Sequence, residues 1–224
     1  MTVSFNQAVI LKEIFSLSFA ELNKLGFTPN KKLNKYSRVD GEFTFNILFN
    51  IGAFGRQHLI LTVEHKGISK IFKDTIKKTR EVINDIPLIK GNRPVISVTD
   101  WKFLYEENHI PFSGVWFTSL SSVSDISKLK DDYFLSFSLA NKWFEKCKDC
   151  NYIYDYSLSK NSSYSIEIAL CVGKILGKNI ARDLDFILEG NNGPLGADVD
   201  LNEVLLFNSI LQNTTREKLY FTSL

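Results

Sequence analysis

The chain has 224 residues, 44% of them apolar, with 18 Phe, 8 Tyr and 3 Trp and a formal charge of +2. That length and apolar content suffice for one ample, unusually aromatic domain, and the net charge is too small to argue for nucleic acid. Three cysteines fit a reducing compartment better than a disulfide-built secreted fold. The sequence shows no basic n-region with an apolar h-region and no apolar run of about 18 residues, so export and membrane spanning are disfavoured and a cytoplasmic location is expected.

In chain order, Ser4 and Gln7 have capping-box spacing, and Phe5, Ala8, Leu11, Phe15, Phe19, Leu22 and Leu25 recur at helical intervals. This predicts a helix over 5–25, closed by a left-handed cap at Gly26. A basic connection, TPNKKLNK, leads to a short strand at YSRV and a tight turn at Asp40-Gly41. Residues 43–51 place Phe43, Phe45, Ile47, Phe49 and Ile51 on one face, and in 57–65 Leu59, Leu61 and Val63 share a parity. With only a short glycine-containing connection between them, the two runs read as an antiparallel hairpin whose aromatic face the 5–25 helix covers. Ile68, Ile71, Phe72, Thr75, Ile76, Thr79 and Ile83 then trace a second amphipathic helix, with Lys70, Lys73, Lys77 and Arg80 on its other face.

Beyond Pro87, Gly91 and Pro94 the periodicity is interrupted, which makes 86–95 the candidate internal boundary of an otherwise single domain over 1–224. PVISV and GVWFTSL read as strands, WKFLYEE as a short helix capped by Asp100, and the aromatic pairs Tyr133-Phe134 and Trp143-Phe144 as helical. A helix over 164–176 stops at Gly177, and another covers Ile180 to Leu188. EGNNGPLGADVD is the strongest loop, and Asp200 with Glu203 opens a last helix to about Gln212 with Val204, Leu205 and Leu211 inward. The fold class is α+β: an antiparallel sheet nucleated by the 43–51/57–65 hairpin and covered by amphipathic helices.

Chemistry-bearing residues are sparse. Cys147 and Cys150 have CxxC spacing, but a structural zinc site needs four ligands and there is no second pair. The pair is expected at a helix end, where the dipole does not acidify a thiol, so unmodified thiols and no cofactor are expected. His58 and His65 fall on opposite strand faces, and Cys171 reads as a small core residue. Glu189, Asp198, Asp200 and Glu203 lack the calcium-loop pattern and read as caps and solvated charge, with no metal.

Glu64 and Lys66 have E-x-K spacing at the end of a hairpin strand, and Asp40 precedes the neighbouring strand. With the helix–strand–strand–strand–helix–strand order, this resembles the core of the restriction-endonuclease-like nuclease superfamily. The resemblance implies Mg²⁺ held by Asp40 and Glu64 at a scissile phosphate, with Lys66 assisting water, and nucleic acid as partner. Asp40 in a turn and the missing Pro-Asp depart from that pattern. A broader resemblance is to bacterial domains of unknown function among toxin-immunity proteins. It rests on Phe15, Phe19 and Leu22, on Gly26-Phe27, and on Arg38 before the 43–51 strand, and covers about the first 85 residues.

That second resemblance implies a noncatalytic protein that binds and blocks another protein, such as a basic toxin domain. The expected contact residues are Glu189, Asp198 and Asp200 on the loop, with Tyr152, Tyr154 and Tyr156 as aromatic anchors. The two classes that remain are therefore a cytoplasmic protein-binding protein and a magnesium-dependent nuclease. Neither calls for a membrane, and the oligomeric state is open.

Overall fold

The structure is a computed structural model. It describes residues 7–51, 57–83, 96–98, 102–111, 120, 122–160, 163–179, 182, 184–185 and 200–214. The chain divides into two compact units, one formed by 1–63 with 97–146 and the other by 64–96 with 147–224. The expected interruption at 86–95 lies outside the described residues.

Among the described residues, five strands form one sheet in the order β1 (Thr28–Asn30), β2 (Lys35–Asp40), β3 (Phe43–Ile51), β4 (Gln57–His65), β5 (Ile96–Val98). β1 with β2 and β2 with β3 are antiparallel. β3 and β4 are neighbours joined by residues 52–56, a connection that can return only an antiparallel partner. Asp40 pairs with Phe43 across a loop of Gly41 and Glu42, and Gly41 takes a φ of 58°, the left-handed start that glycine tolerates in a two-residue hairpin. The expected strand at YSRV thus runs on to Asp40, which closes the strand rather than lying within the turn.

In the first unit, Phe45, Ile47 and Phe49 are buried on the face where β2 places Tyr36 and Arg38. Among the described residues, two helices cover it. From α1 (Gln7–Lys24), Phe15 stacks on Tyr36 at 4.9 Å and meets Phe49 at 5.5 Å, while its carbonyl accepts the Tyr36 hydroxyl at 2.8 Å. From α5 (Lys130–Lys146), Phe144 lies 5.0 Å from Phe45 and Phe137 lies 6.1 Å from Phe49. The short helices α3 (Lys102–Glu107) and α4 (Val123–Lys128) pack against α5, and Tyr105 and Ser136 share a buried 2.7 Å hydrogen bond between their hydroxyls.

The buried row of α1 is rotated from the expected one. Ile10, Ile14, Ser18 and Leu22 form an i, i+4 ridge into the core, with Phe15 on its edge, whereas Ala8 is exposed and Phe19 is 50% exposed. Aromatic size drew the sequence reading toward Phe19, but a helix seats a whole ridge, and the i, i+4 row through Ile14 also carries Phe15 onto Tyr36. The C-terminal cap is as expected: Gly26 has φ 81°, Phe27 N–H donates to the Leu22 carbonyl at 2.9 Å, and Gly26 N–H donates to Asn23 at 3.0 Å.

Arg38 ties these pieces together. Its guanidinium lies 5.1 Å from the Phe27 ring centroid and 4.9 Å from that of Phe45. Nη1 donates to Asn141 Oδ1 at 2.6 Å and to the Leu25 carbonyl at 3.3 Å, and Nη2 reaches Glu145 Oε1 at 2.7 Å. A Cβ on Gly26 would stand 3.4 Å from Arg38 Cδ, an ordinary contact, so the left-handed φ rather than space requires glycine at the cap.

In the second unit α2 (Lys66–Val82), α6 (Cys150–Leu158), α7 (Ser163–Leu176) and α8 (Leu201–Asn213) pack together. Phe72 and Phe207 meet at 5.7 Å, and Arg80 pairs with Glu203 at 2.7 Å. Gly177, φ 68°, ends α7 as expected, with Lys178 N–H donating to the Gly173 carbonyl at 2.9 Å. Lys174 donates to the Leu211 carbonyl and, at 2.9 Å, to that of Thr214, closing the last turn of α8 with a cation.

Replacing Arg38 by Ala should lower stability by about 2–4 kcal/mol, since charge-assisted hydrogen bonds and two ring faces are lost together. Arg38→Lys should recover only part of this, lacking the fork, and Glu145→Gln should cost below about 1 kcal/mol because that carboxylate is half exposed. Urea midpoints at constant m-value test the order. Burial pushes the Tyr36 hydroxyl from an ordinary value of 10.0 up to about 12, so its contribution is complete below pH 10 and is lost as pH rises through 12. Tyr36→Phe should therefore be less stable at neutral pH yet lose less on alkalinisation, measured as the pH dependence of the same midpoint.

Candidate functional surface

The residues of the nuclease pattern are separated by the pleat. Asp40 shares the face of Tyr36 and Arg38, opposite Phe43. Glu64 has the parity of Thr62, whose hydroxyl accepts from Asn46 Nδ2 at 3.0 Å, and Asn46 lies on the other face from Phe45 and Ile47. The two carboxylates thus point to opposite sides of the sheet. β4 ends at His65 and Lys66 is already the first residue of α2, exposed. His65 is the N-cap: its Nδ1 accepts the Ile68 N–H at 3.3 Å, a role open to an imidazole nitrogen that carries no proton. A Cβ on Gly67 would stand 3.3 Å from His65 Cε1, so glycine there lets the ring lie against the first turn. The side chain of His58 lies outside the described residues, and His109 is exposed after α3. Among the described residues no group of three or more His, Cys, Asp or Glu is placed to hold a metal ion.

The CxxC pair straddles a helix start. Cys147 follows α5 and is buried, whereas Cys150 is the first residue of α6, behind an Asp149 cap that accepts the Asn151 N–H at 2.8 Å. The sequence expectation of a helix end holds for Cys147 and fails for Cys150, because the i, i+3 spacing is taken up by a turn between two helices. A helix N-terminus favours thiolate, yet burial, and then the Asp149 charge, raise the Cys150 pKa. Desolvation and a neighbouring anion outweigh the dipole here. Cys171 is buried in α7, and burial, then the Glu167 charge, raise its pKa well above the ordinary value, with Lys174 opposing.

Of the expected binding residues, Glu189 and Asp198 lie outside the described residues. Asp200 is described and serves as the N-cap of α8, accepting from the Asn202 and Glu203 N–H groups at 2.9 and 3.2 Å. The three tyrosines of α6 do not share one face. Tyr152 and Tyr156, one turn apart, stack at 6.0 Å with Lys160 4.5 Å from the Tyr156 ring, whereas Tyr154 is buried beneath Lys178, whose Nζ lies 4.2 Å from its ring.

One apolar feature of α8 differs from the sequence expectation. Leu205 was expected inward, but Val204, Phe207 and Leu211 form the buried row of α8. Leu201 and Leu205, one turn apart on another face, are 40% and 41% exposed. Both leucines satisfy helical spacing with some core residue, so only the packed position of Phe207 decides which row turns in.

No helix among the described residues is long and apolar enough to cross a membrane. No protein-family model, curated protein or solved structure matches this chain.

Alkylation of Cys150 should be slow at neutral pH with a rate midpoint above that of an ordinary thiol, and Asp149→Asn, which keeps a cap acceptor, should lower that midpoint. Native mass without reductant or chelator should equal the bare polypeptide. Stoichiometric zinc, a 147–150 disulfide, or a fast-reacting Cys150 would overturn this assignment.

Proposed function

We propose that the chain acts in the cytoplasm as a noncatalytic protein-binding protein that occupies and neutralises a basic partner such as a toxin domain. The observation that carries this reading is the exposed Leu201–Leu205 pair on α8, which follows Glu189 and Asp198 in the sequence. Carboxylates steer the encounter with a cationic surface, and an exposed apolar pair supplies area for desolvated contact. Asp200 contributes by fixing the first turn of α8, since its carboxylate is committed to the cap. Tyr152 and Tyr156 offer a further aromatic contact on α6, while Tyr154 belongs to the core.

The carboxylates act mainly on association rate and salt dependence, whereas the leucines act on dissociation. The magnesium-dependent nuclease reading, with Asp40, Glu64 and Lys66, finds no support in the strand parity described above.

The test is affinity capture of the partner followed by calorimetry with purified components. Glu189→Lys with Asp198→Lys should stay folded and lose the salt-sensitive part of association. Leu205→Ser should weaken binding at every salt concentration by about 1–2 kcal/mol, the scale of one apolar contact, and Glu64→Gln should leave it unchanged. Binding that ignores both loop and leucine variants, or magnesium-dependent phosphodiester cleavage abolished by Glu64→Gln, would replace this function with another.

A further inference from the structure

We propose that α8 pairs with the α8 of a second copy of this chain, parallel and about a twofold axis, through Leu201, Leu205, Asn208 and Gln212. Their spacing of four, three and four residues is that of the d and a positions of a heptad, and at 3.6 residues per turn the four side chains fall within an arc of about 60°. The buried row Val204, Phe207 and Leu211 lies about a quarter-turn away, so packing within the unit leaves this seam turned out. Leu201, Leu205 and Gln212 are exposed and Asn208 is partly so.

The seam carries no charge. Glu203 is the one ionisable residue of α8, and it stands on the other side of the helix, where Arg80 meets it at 2.7 Å and 12% of its side chain is exposed. Two copies therefore meet without like-charge repulsion, and depletion of charge is what marks the core of an interface off from the surface around it. The two amides suit a copy of themselves. Gln212 Nε2 donates to Asn208 Oδ1 at 3.2 Å within the helix, which leaves N–H groups on Asn208 and a carbonyl oxygen on Gln212. Donor and acceptor on successive layers of one seam meet acceptor and donor on the other, twice by symmetry.

The order of the four residues fixes the direction. In a parallel pair leucine faces leucine at one end and amide faces amide at the other, and amides in such a seam hold its register. An antiparallel pair would set Leu201 against Gln212 and Leu205 against Asn208. That buries polar groups against methyls, a larger cost than the salt-screened gain from opposed helix dipoles. Four positions on a 13-residue helix cover less than the about 1,200 Å² at which standard interfaces begin, so the dimer is reversible and concentration-dependent. This goes beyond the partner reading and does not rest on it. The two occupants share Leu201 and Leu205 and exclude one another, and self-association alone uses Asn208 and Gln212.

The test is sedimentation equilibrium of the full chain by itself. The mass should rise above 25.6 kDa toward twice that value as concentration climbs from about 10 µM to about 1 mM, the range of a weak interface. Asn208→Asp with Gln212→Glu, which sets like charges across the axis, should weaken the dimer about tenfold or more, as should Leu201→Ser with Leu205→Ser. Ser16→Asp with Asn23→Asp, an equal charge change at exposed positions of α1, should leave it unchanged. Gln212→Cys under mild oxidation should give a covalent dimer that the native chain does not, because position 212 meets its own copy in a parallel pair, whereas antiparallel copies would hold it about 16 Å away along the axis. Circular dichroism establishes that each variant is folded. A monomer at every concentration, equal weakening in the α1 control, or no cross-link at 212 would each overturn the proposal. A basic partner bound by a chain that stays monomeric would overturn it too, and would leave the neutralising function standing.

Discussion

The first unit depends on how a guanidinium is accommodated between two aromatic rings. Arg38 leaves the sheet on its apolar face, where a charge in isolation would be costly, and the fold answers with Phe27 and Phe45 on its flanks and three oxygen acceptors at its rim. Those acceptors come from the end of α1 and from two successive turns of α5. One side chain thus specifies where α1 stops and how α5 is rotated about its axis. Sliding α5 by one residue would carry Asn141 and Glu145 away from the fork and Phe144 off Phe45 together. The ionic part is the smaller share, since Glu145 is half exposed, and the larger is the buried stem, the ring contacts and the Asn141 bond.

Among its described residues the second unit shows no comparable focus. Its order comes from ridge packing, with Phe72 against Phe207, and from charges at helix ends: Asp200 opening α8, Lys174 closing it, and Arg80 bound to Glu203. The same rotation of α2 that buries Phe72 and Ile76 assigns its lysines to solvent, so core packing and surface charge follow from one helical period.

What could be read from the sequence were features whose cause is local. The 43–51 and 57–65 strands, the left-handed cap at Gly26, the stop at Gly177, the helical placement of the Tyr133-Phe134 and Trp143-Phe144 pairs and the Asp200 cap each depend on residues within a turn or two. What could not be read depended on partners far along the chain. Arg38 meets Asn141 and Glu145 across more than a hundred residues, and no spacing rule links them. The α1 ridge was displaced toward Phe19 because only contact with Tyr36 and Phe49 decides which of two overlapping rows is buried. Leu205 was misplaced for the same reason, and with it went the exposed Leu201–Leu205 pair. Periodicity names candidate faces, and the tertiary neighbour chooses one.

The first unit is also discontinuous, since residues 64–96 leave it for the other before 97–146 return. During synthesis β3 is therefore complete long before α5, whose Phe137 and Phe144 finish covering Phe49 and Phe45. At ~5–20 residues per second the intervening stretch takes roughly 5–15 s to emerge, and for that interval an aromatic sheet face is only half roofed by α1. A nascent chain in this condition is a natural client for a holdase, and translation pauses between β4 and α5 would lengthen its exposure.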